Sequence, residues 1–220
     1  MSTKTRPAAS LRRNISFLGR WLRNPKAVGA VVPSGKSLAA AMVAEVDHEA
    51  EGAIIELGGG TGNITAALLQ AGFPIDDITV IERDPAFHRV IAQRFPEVRV
   101  LQGDAVDLRR LLREAGVGKV KAVVSSLPLL SIPDRICLQI VAEAMAVLGE
   151  NGDFIQFTYG PASPVSRAIL ARLGLQGRRA SWVMDNIPPA SVWRYRPHHA
   201  AAAISGPEAA AMETLHKRSA

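Results

Sequence analysis

Cysteine occurs once in this 220-residue chain, at Cys137. A lone thiol excludes an internal disulfide and a cysteine-cluster metal centre, and makes a reducing compartment, the cytoplasm, the expected setting. Long apolar runs are missing as well. No stretch approaches the roughly 18 residues of a spanning helix, and the basic N-terminal residues lack the apolar segment of a signal peptide, so neither membrane crossing nor export is expected. Acidic residues are absent from residues 1–36, which carry eight Lys and Arg side chains. The remaining 184 residues hold 18 basic and 20 acidic groups, a balance of −2, so the net charge of +6 comes entirely from that leader. One glycine is missing where it would matter. "VPSGKSLA", Val32 to Ala39, ends like a phosphate-binding P-loop, but that loop needs a glycine five positions before Gly35, and position 30 is Ala. The wrapped cradle of N–H groups is therefore excluded.

What is present divides the chain into a leader (1–36), one core-forming domain (37–199) and a low-complexity tail (200–220). A hydrophobic content of 48% supports a sizeable core. In the leader, Leu11, Ile15, Leu18 and Leu22 follow spacings of four, three and four, which puts them on one helical face. Phe17 and Trp21 widen that face, and Arg12, Arg13, Arg20 and Arg23 flank it; Ser10 can cap the start and Pro25 ends the run. A basic helix with an aromatic and aliphatic side suits the headgroup layer of an anionic bilayer. Packing on its own domain and contact with nucleic acid are the alternatives.

After an Ala-rich helix near Gly35 to Val46 comes "GAIIELGGGTGNITAALLQAG". Ile54 to Leu57 read as a short buried strand, Gly58 to Gly62 as a tight turn, and Asn63 to Ala71 as a helix. Such glycines let the backbone turn sharply and approach a ligand that side chains would block. A second strand, "ITVIERD", ends in Glu82, an acid placed to accept two ribose hydroxyls. Expected strands are 53–58, 78–83, 98–103, 122–127, 153–159, 178–185 and 191–196, the first five joined by helical crossovers.

A nicotinamide fingerprint would need Gly-x-Gly-x-x-Gly. Here Glu56 precedes Gly58-Gly59-Gly60-Thr61-Gly62, an acid-x-Gly-x-Gly-x-Gly pattern that resembles motif I of class I S-adenosylmethionine (SAM) methyltransferases. The resemblance implies an α/β, Rossmann-like fold with a seven-stranded, mostly parallel sheet and an antiparallel last strand, preceded here by N-terminal amphipathic helices. It implies SAM as cofactor, held by Glu56, Gly58, Gly60, Thr61, Gly62, Asn63, Glu82, Arg83, Gly103, Asp104, Ala105 and Ser125, with Asp104 near the adenine amino group.

The family's fourth motif follows the fourth strand, here "SSLPLL", Ser125 to Leu130. The rRNA dimethyladenosine transferases resemble this region with Asn or Asp in place of Ser125 or Ser126 and an aromatic after the Pro, which stacks on the extruded base. Leu129 cannot stack, which weakens a nucleobase acceptor. With the helical leader, "NPKAVGAVVPSGKSLA" and "SSLPLLSIP", residues 15 to 197 resemble the soluble bacterial phospholipid N-methyltransferases. That resemblance implies phosphatidylethanolamine methylated stepwise towards phosphatidylcholine, at the inner face of the cell membrane. An rRNA adenine N6-dimethyltransferase-like or small-molecule amine methyltransferase and a non-catalytic membrane-binding protein of the same fold are the alternatives.

In that setting Ser34, Gly35, Lys36 and Ser37 open a helix whose free N–H groups can receive a lipid phosphate, and Leu127 and Pro128 form an apolar entrance. "FTYGPAS" puts Tyr159 at the end of the fifth strand, where its hydroxyl and ring can orient an amine. Arg194 is expected to reach the phosphate by fork geometry, with Arg196 as the alternative. His198 and His199 have no partners at metal-ligand spacing, and no metal is expected.

Overall fold

The structure is a computed structural model that describes residues 33–198. The leader residues Arg12, Arg13, Phe17, Leu18, Arg20, Trp21 and Arg23, together with His199 and the tail, lie outside the described residues.

The first element, α1 (Pro33–Val43), buries Leu38, Ala39, Met42 and Val43 along one side, the i, i+4 spacing of a helix laid on a core. Alternation then sets in: β1 (Ala53–Leu57), α2 (Asn63–Gln70), β2 (Ile78–Glu82), α3 (Pro85–Arg94), β3 (Arg99–Gln102), α4 (Leu108–Glu114), β4 (Val120–Ser125), α5 (Asp134–Val147) and β5 (Leu148–Tyr159). The last elements are α6 (Arg167–Leu173), β6 (Leu175–Val183) and β7 (Ala190–Pro197). Local chemistry sets several boundaries. Asp84 starts α3 by accepting hydrogen bonds from the Ala86 and Phe87 amides, with Pro85 at the first helical position. Ser166 caps α6 through the Ile169 amide.

The strands form one seven-stranded sheet in the order β3-β2-β1-β4-β5-β7-β6. Strands β1 to β5 pair in parallel, and β7 lies antiparallel between β5 and β6. Both faces are covered, so the central strands are mainly apolar rather than alternating with polar residues. Ile54 points into one layer with Leu38, Met42 and Leu68, while its neighbours Ile55 and Leu57 point into the other with Leu108 and Ile140. Truncating one of these to Ala would cost about 2–5 kcal/mol in transfer and cavity terms.

Two strand starts differ by three residues or more from the sequence expectation. β5 starts at Leu148 rather than 153, because Leu148 already pairs with Val120 before a register irregularity brings Asp153 opposite Ala122. β6 starts at Leu175 rather than 178, directly after Gly174 ends α6.

After β1 the chain moves towards β2 and β3, and after β4 towards β5. Successive connections therefore separate at the carboxyl ends of β1 and β4, where such sheets open a crevice for a ligand.

Candidate active site

That crevice is a cavity of about 940 Å³, walled by the loops after β1, β2, β3 and β4 and by the end of β5, and closed on one side by α1. The glycine turn forms its floor. A Cβ on Gly59 would lie 2.3 Å from Ile91 and 2.6 Å from Val80, so no side chain fits between the turn and α3. Gly60 differs. It has φ +53°, and a Cβ there would meet nothing closer than the Gly58 carbonyl at 4.0 Å, leaving it free to project into the cavity that a ligand needs.

The two acids of the turn take distinct parts. Glu82, at the end of β2, accepts from the Gly60 amide (2.9 Å) through Oε2 and from the Asp84 amide (2.8 Å) through Oε1, holding the turn against β2. Each oxygen keeps a lone pair for a ligand hydroxyl. Glu56, at 1% exposure, accepts from the Thr65 hydroxyl (2.6 Å) through Oε2, while Oε1 has no partner. Burial, opposed in part by the Thr65 bond and reinforced by the charge of Glu82, pushes the Glu56 carboxyl from 4.5 up to about 8. A buried carboxyl oxygen without a donor, in the wall of an open cavity, is satisfied by a cationic or hydrogen-bonding ligand.

Of the other expected cofactor contacts, Thr61, Asn63, Arg83, Gly103, Asp104 and Ala105 line the cavity with Gly58 and Gly60. Asp104 accepts from the Val106 amide (3.2 Å) and pairs with Arg83 (3.2 Å). Gly62 does not reach the wall. It is the left-handed N-cap of α2. Ser125 also needs correction: it is fully buried at the end of β4, and its Oγ accepts from the Leu127 amide, so its neighbour Ser126 lines the cavity instead. The Ser126 hydroxyl donates to the carbonyl of Gly58 and ties the loop after β4 to the glycine turn.

On the acceptor side, Gly35, Leu127, Pro128 and Tyr159 all line the cavity. Ser34, Lys36 and Ser37 occupy the first turns of α1 as expected, but Lys36 and Ser37 are exposed and, unlike Gly35, lie off the wall. Burial raises the Tyr159 hydroxyl above its ordinary value, and a hydrogen bond with Asn186 partly offsets this.

Arg194 is the clearest correction. β7 runs antiparallel, so Ala190 sits beside Tyr159 at the cavity end, while Arg194 lies opposite Ile155, partway to the far end. There Arg194 and Arg196 both donate to Asp153, at 3.1 Å and 2.6 Å through their Nε atoms, and Arg194 also reaches Glu45 at 3.2 Å. Burial alone would raise the Asp153 carboxyl, yet the two guanidinium groups hold it below its usual range. Both arginines are structural braces with no route to the cavity.

Sequence reasoning missed Asp84, Phe87, Ser126 and Phe157, all in the wall. Asp84-Pro85 was legible as a helix start, and Phe87 follows in its first turn. Phe157 lies two residues before Tyr159 on β5, and its ring meets Tyr159 edge to face with centroids 5.4 Å apart.

The orphaned Glu56 oxygen, the open space at Gly60 and the acids at the ends of β2 and β3 fit SAM, a cation with a ribose and an adenine. Glu56, Gly58, Gly60, Glu82 and Asp104 are the residues that would hold it. When bound, SAM supplies a methyl group activated by its sulfonium. Comparison with known proteins agrees. Residues 54–152 match a family model described as a methyltransferase domain. Over 148 residues the chain is 32% identical to an ornithine lipid N-methyltransferase from Singulisphaera acidiphila, spanning 66% of this chain and 77% of that protein. Among solved structures it shares the fold of a TehB-like SAM-dependent methyltransferase from Corynebacterium glutamicum (TM-score 0.55, 18% identity, 85% and 99% of the two chains). It also shares that of a magnesium protoporphyrin IX methyltransferase from Synechocystis PCC 6803 with bound SAM (TM-score 0.58, 14% identity, 90% and 100%). The chain belongs to the class I SAM-dependent methyltransferases.

Proposed function

We propose that the enzyme methylates the amine of phosphatidylethanolamine and its methylated intermediates, towards phosphatidylcholine, while attached to an anionic membrane surface through its basic leader. The carrying observation is the acceptor side of the cavity: Leu38, Met42, Leu127, Pro128, Ile132 and Ile136 give it an aliphatic wall that suits glycerol and acyl groups, and no aromatic stands in the loop after β4 to stack on a base. Likeness to a lipid N-methyltransferase supports the same class of acceptor.

The chemistry asked of the protein is modest. A primary alkylamine has a pKa near that of Lys, about 10, so a proton must leave before the nitrogen can attack. The cavity then has to exclude water and hold the neutral amine in line with the methyl group. Tyr159 supplies a ring face for the positive charge that the nitrogen acquires, and that face is its main contribution. The first turn of α1, with Lys36 exposed at the rim, offers amide groups and charge for the lipid phosphate.

The test is incubation of the purified protein with methyl-labelled SAM and vesicles that contain both phosphatidylethanolamine and ornithine lipid, followed by identification of the labelled product. Label in phosphatidylethanolamine and its derivatives is expected. Label in ornithine lipid alone would move the acceptor to that of the relative, and label only in RNA or a soluble amine would overturn the lipid reading.

A further inference from the structure

The loop joining β6 to β7, residues 184–189, projects past the cavity end of the sheet, since Val183 and Ala190 pair with each other and Ala190 pairs with Tyr159. It is anchored at its base by the Pro189 carbonyl on the Gly160 amide, and inside by Asn186 on the Pro188 carbonyl (2.7 Å). A loop so fixed would be expected to turn its apolar side chains inward. Instead Met184 is 68% and Ile187 81% exposed, and Trp182, just before them on β6, is 41% exposed with Arg179 stacked over its ring at 4.8 Å. Across the mouth, Leu130 is 49% exposed on a turn whose neighbour Ser131 lines the cavity. These four are among the five most exposed large apolar residues of the described chain, and all four lie at or near the cavity end of the sheet.

Charge and chain direction say what covers them. Helix α1 starts beside the cavity, where a Cβ on Gly35 would touch Asn63 at 3.3 Å, and ends at the opposite end, where Glu45 meets Arg194. Residues 1–32, with seven Lys and Arg and no acid, are thus joined to the domain at the same end as the exposed apolar loop. Apolar tips and a Trp paired with Arg, at the end where a cationic segment is attached, are complementary to an anionic bilayer interface.

We infer that the β6–β7 loop is a second membrane contact, with Met184 and Ile187 entering the headgroup layer and Trp182 and Arg179 resting at its surface, so that the cavity mouth is seated on the bilayer. The inference deepens the lipid reading and rests on it for the identity of the surface.

The test uses the full chain with an environment-sensitive fluorophore on Ile187→Cys, and a control with the same label on Lys119→Cys, an exposed site at the far end of the sheet. Cys137 is buried, and burial pushes its thiol up to about 11, so labelling is selective for the new cysteine. Vesicles of phosphatidylethanolamine and phosphatidylglycerol should shift the Ile187 label to the blue and leave the Lys119 label unchanged. The unlabelled double variant Met184→Asp, Ile187→Asp should bind these vesicles about tenfold more weakly, about 1.4 kcal/mol, with SAM affinity at the wild-type value as a check on folding. Equal emission from both labels while wild-type protein co-sediments with the vesicles would overturn the loop contact. A shift at Ile187 without methylation of any vesicle lipid would support the contact and sink the activity reading.

Discussion

Replacing Glu56 by Gln removes one ionisable group from the cavity while keeping its shape, and two opposite effects follow. In the folded protein the carboxyl binds its proton up to about pH 8, against 4.5 as its ordinary value. A folded-state pKa above the unfolded one means that unfolding releases a proton between those two values, so stability falls as pH rises through that window. The penalty is absent below about pH 4.5 and complete above about 8. At about 1.4 kcal/mol per pH unit the full interval corresponds to roughly 5 kcal/mol. Thermal melts of ligand-free protein from pH 6 to 9 should therefore show wild type losing stability relative to Glu56→Gln, which lacks the titrating group. SAM binding should show the reverse. A bound cation favours the carboxylate, so in wild type the ligand expels a proton and its affinity should rise up to about tenfold per pH unit below 8. Calorimetry in buffers of different ionisation enthalpy reads that proton directly. Glu56→Gln should bind SAM far more weakly and without proton release. Parallel melting curves for the two proteins, or proton-independent binding by wild type, would show that Glu56 neither holds its proton to high pH nor meets the bound cation.

Three further outcomes follow from the geometry. Gly59→Ala should destabilise the fold by about 1–3 kcal/mol in urea titration, the usual cost of overpacking, because its Cβ would lie 2.3 Å from Ile91. Arg194→Ala should lower stability by about 1–2 kcal/mol through the lost charge-assisted bonds to Asp153 yet leave KM for lipid unchanged; a rise in KM would restore Arg194 to the substrate site. Tyr159→Leu should reduce kcat about tenfold or more through loss of the ring face, with Tyr159→Phe retaining most activity; an equal loss in both variants would transfer the role to the hydroxyl.

The glycine turn and the acids at the ends of β1 and β2 were legible because their spacing answers to a local requirement, a sharp backbone turn beside a strand end. Long-range pairing was not. Arg194 is a brace because Asp153, 41 residues earlier, and Glu45, 149 residues earlier, converge on it, and nothing near Arg194 in the chain announces either partner. Ser125 and Ser126 were inseparable for another reason: side chains along a strand alternate faces, so a slip of one residue exchanges a buried hydroxyl for one at the cavity. β6 begins three residues before its expected start and contains Gly177. In the fold the Tyr195 ring lies where its Cβ would be, at 2.5 Å.

In the proposed reaction the acceptor remains in its bilayer while the amine enters the cavity. The most direct measurement compares the rate of methyl transfer to phosphatidylethanolamine in anionic vesicles with that to water-dissolved phosphoethanolamine at equal amine concentration. Strong preference for the vesicle lipid, lost when residues 1–24 are removed, is the expected result; equal turnover of both acceptors, with or without the leader, would contradict it.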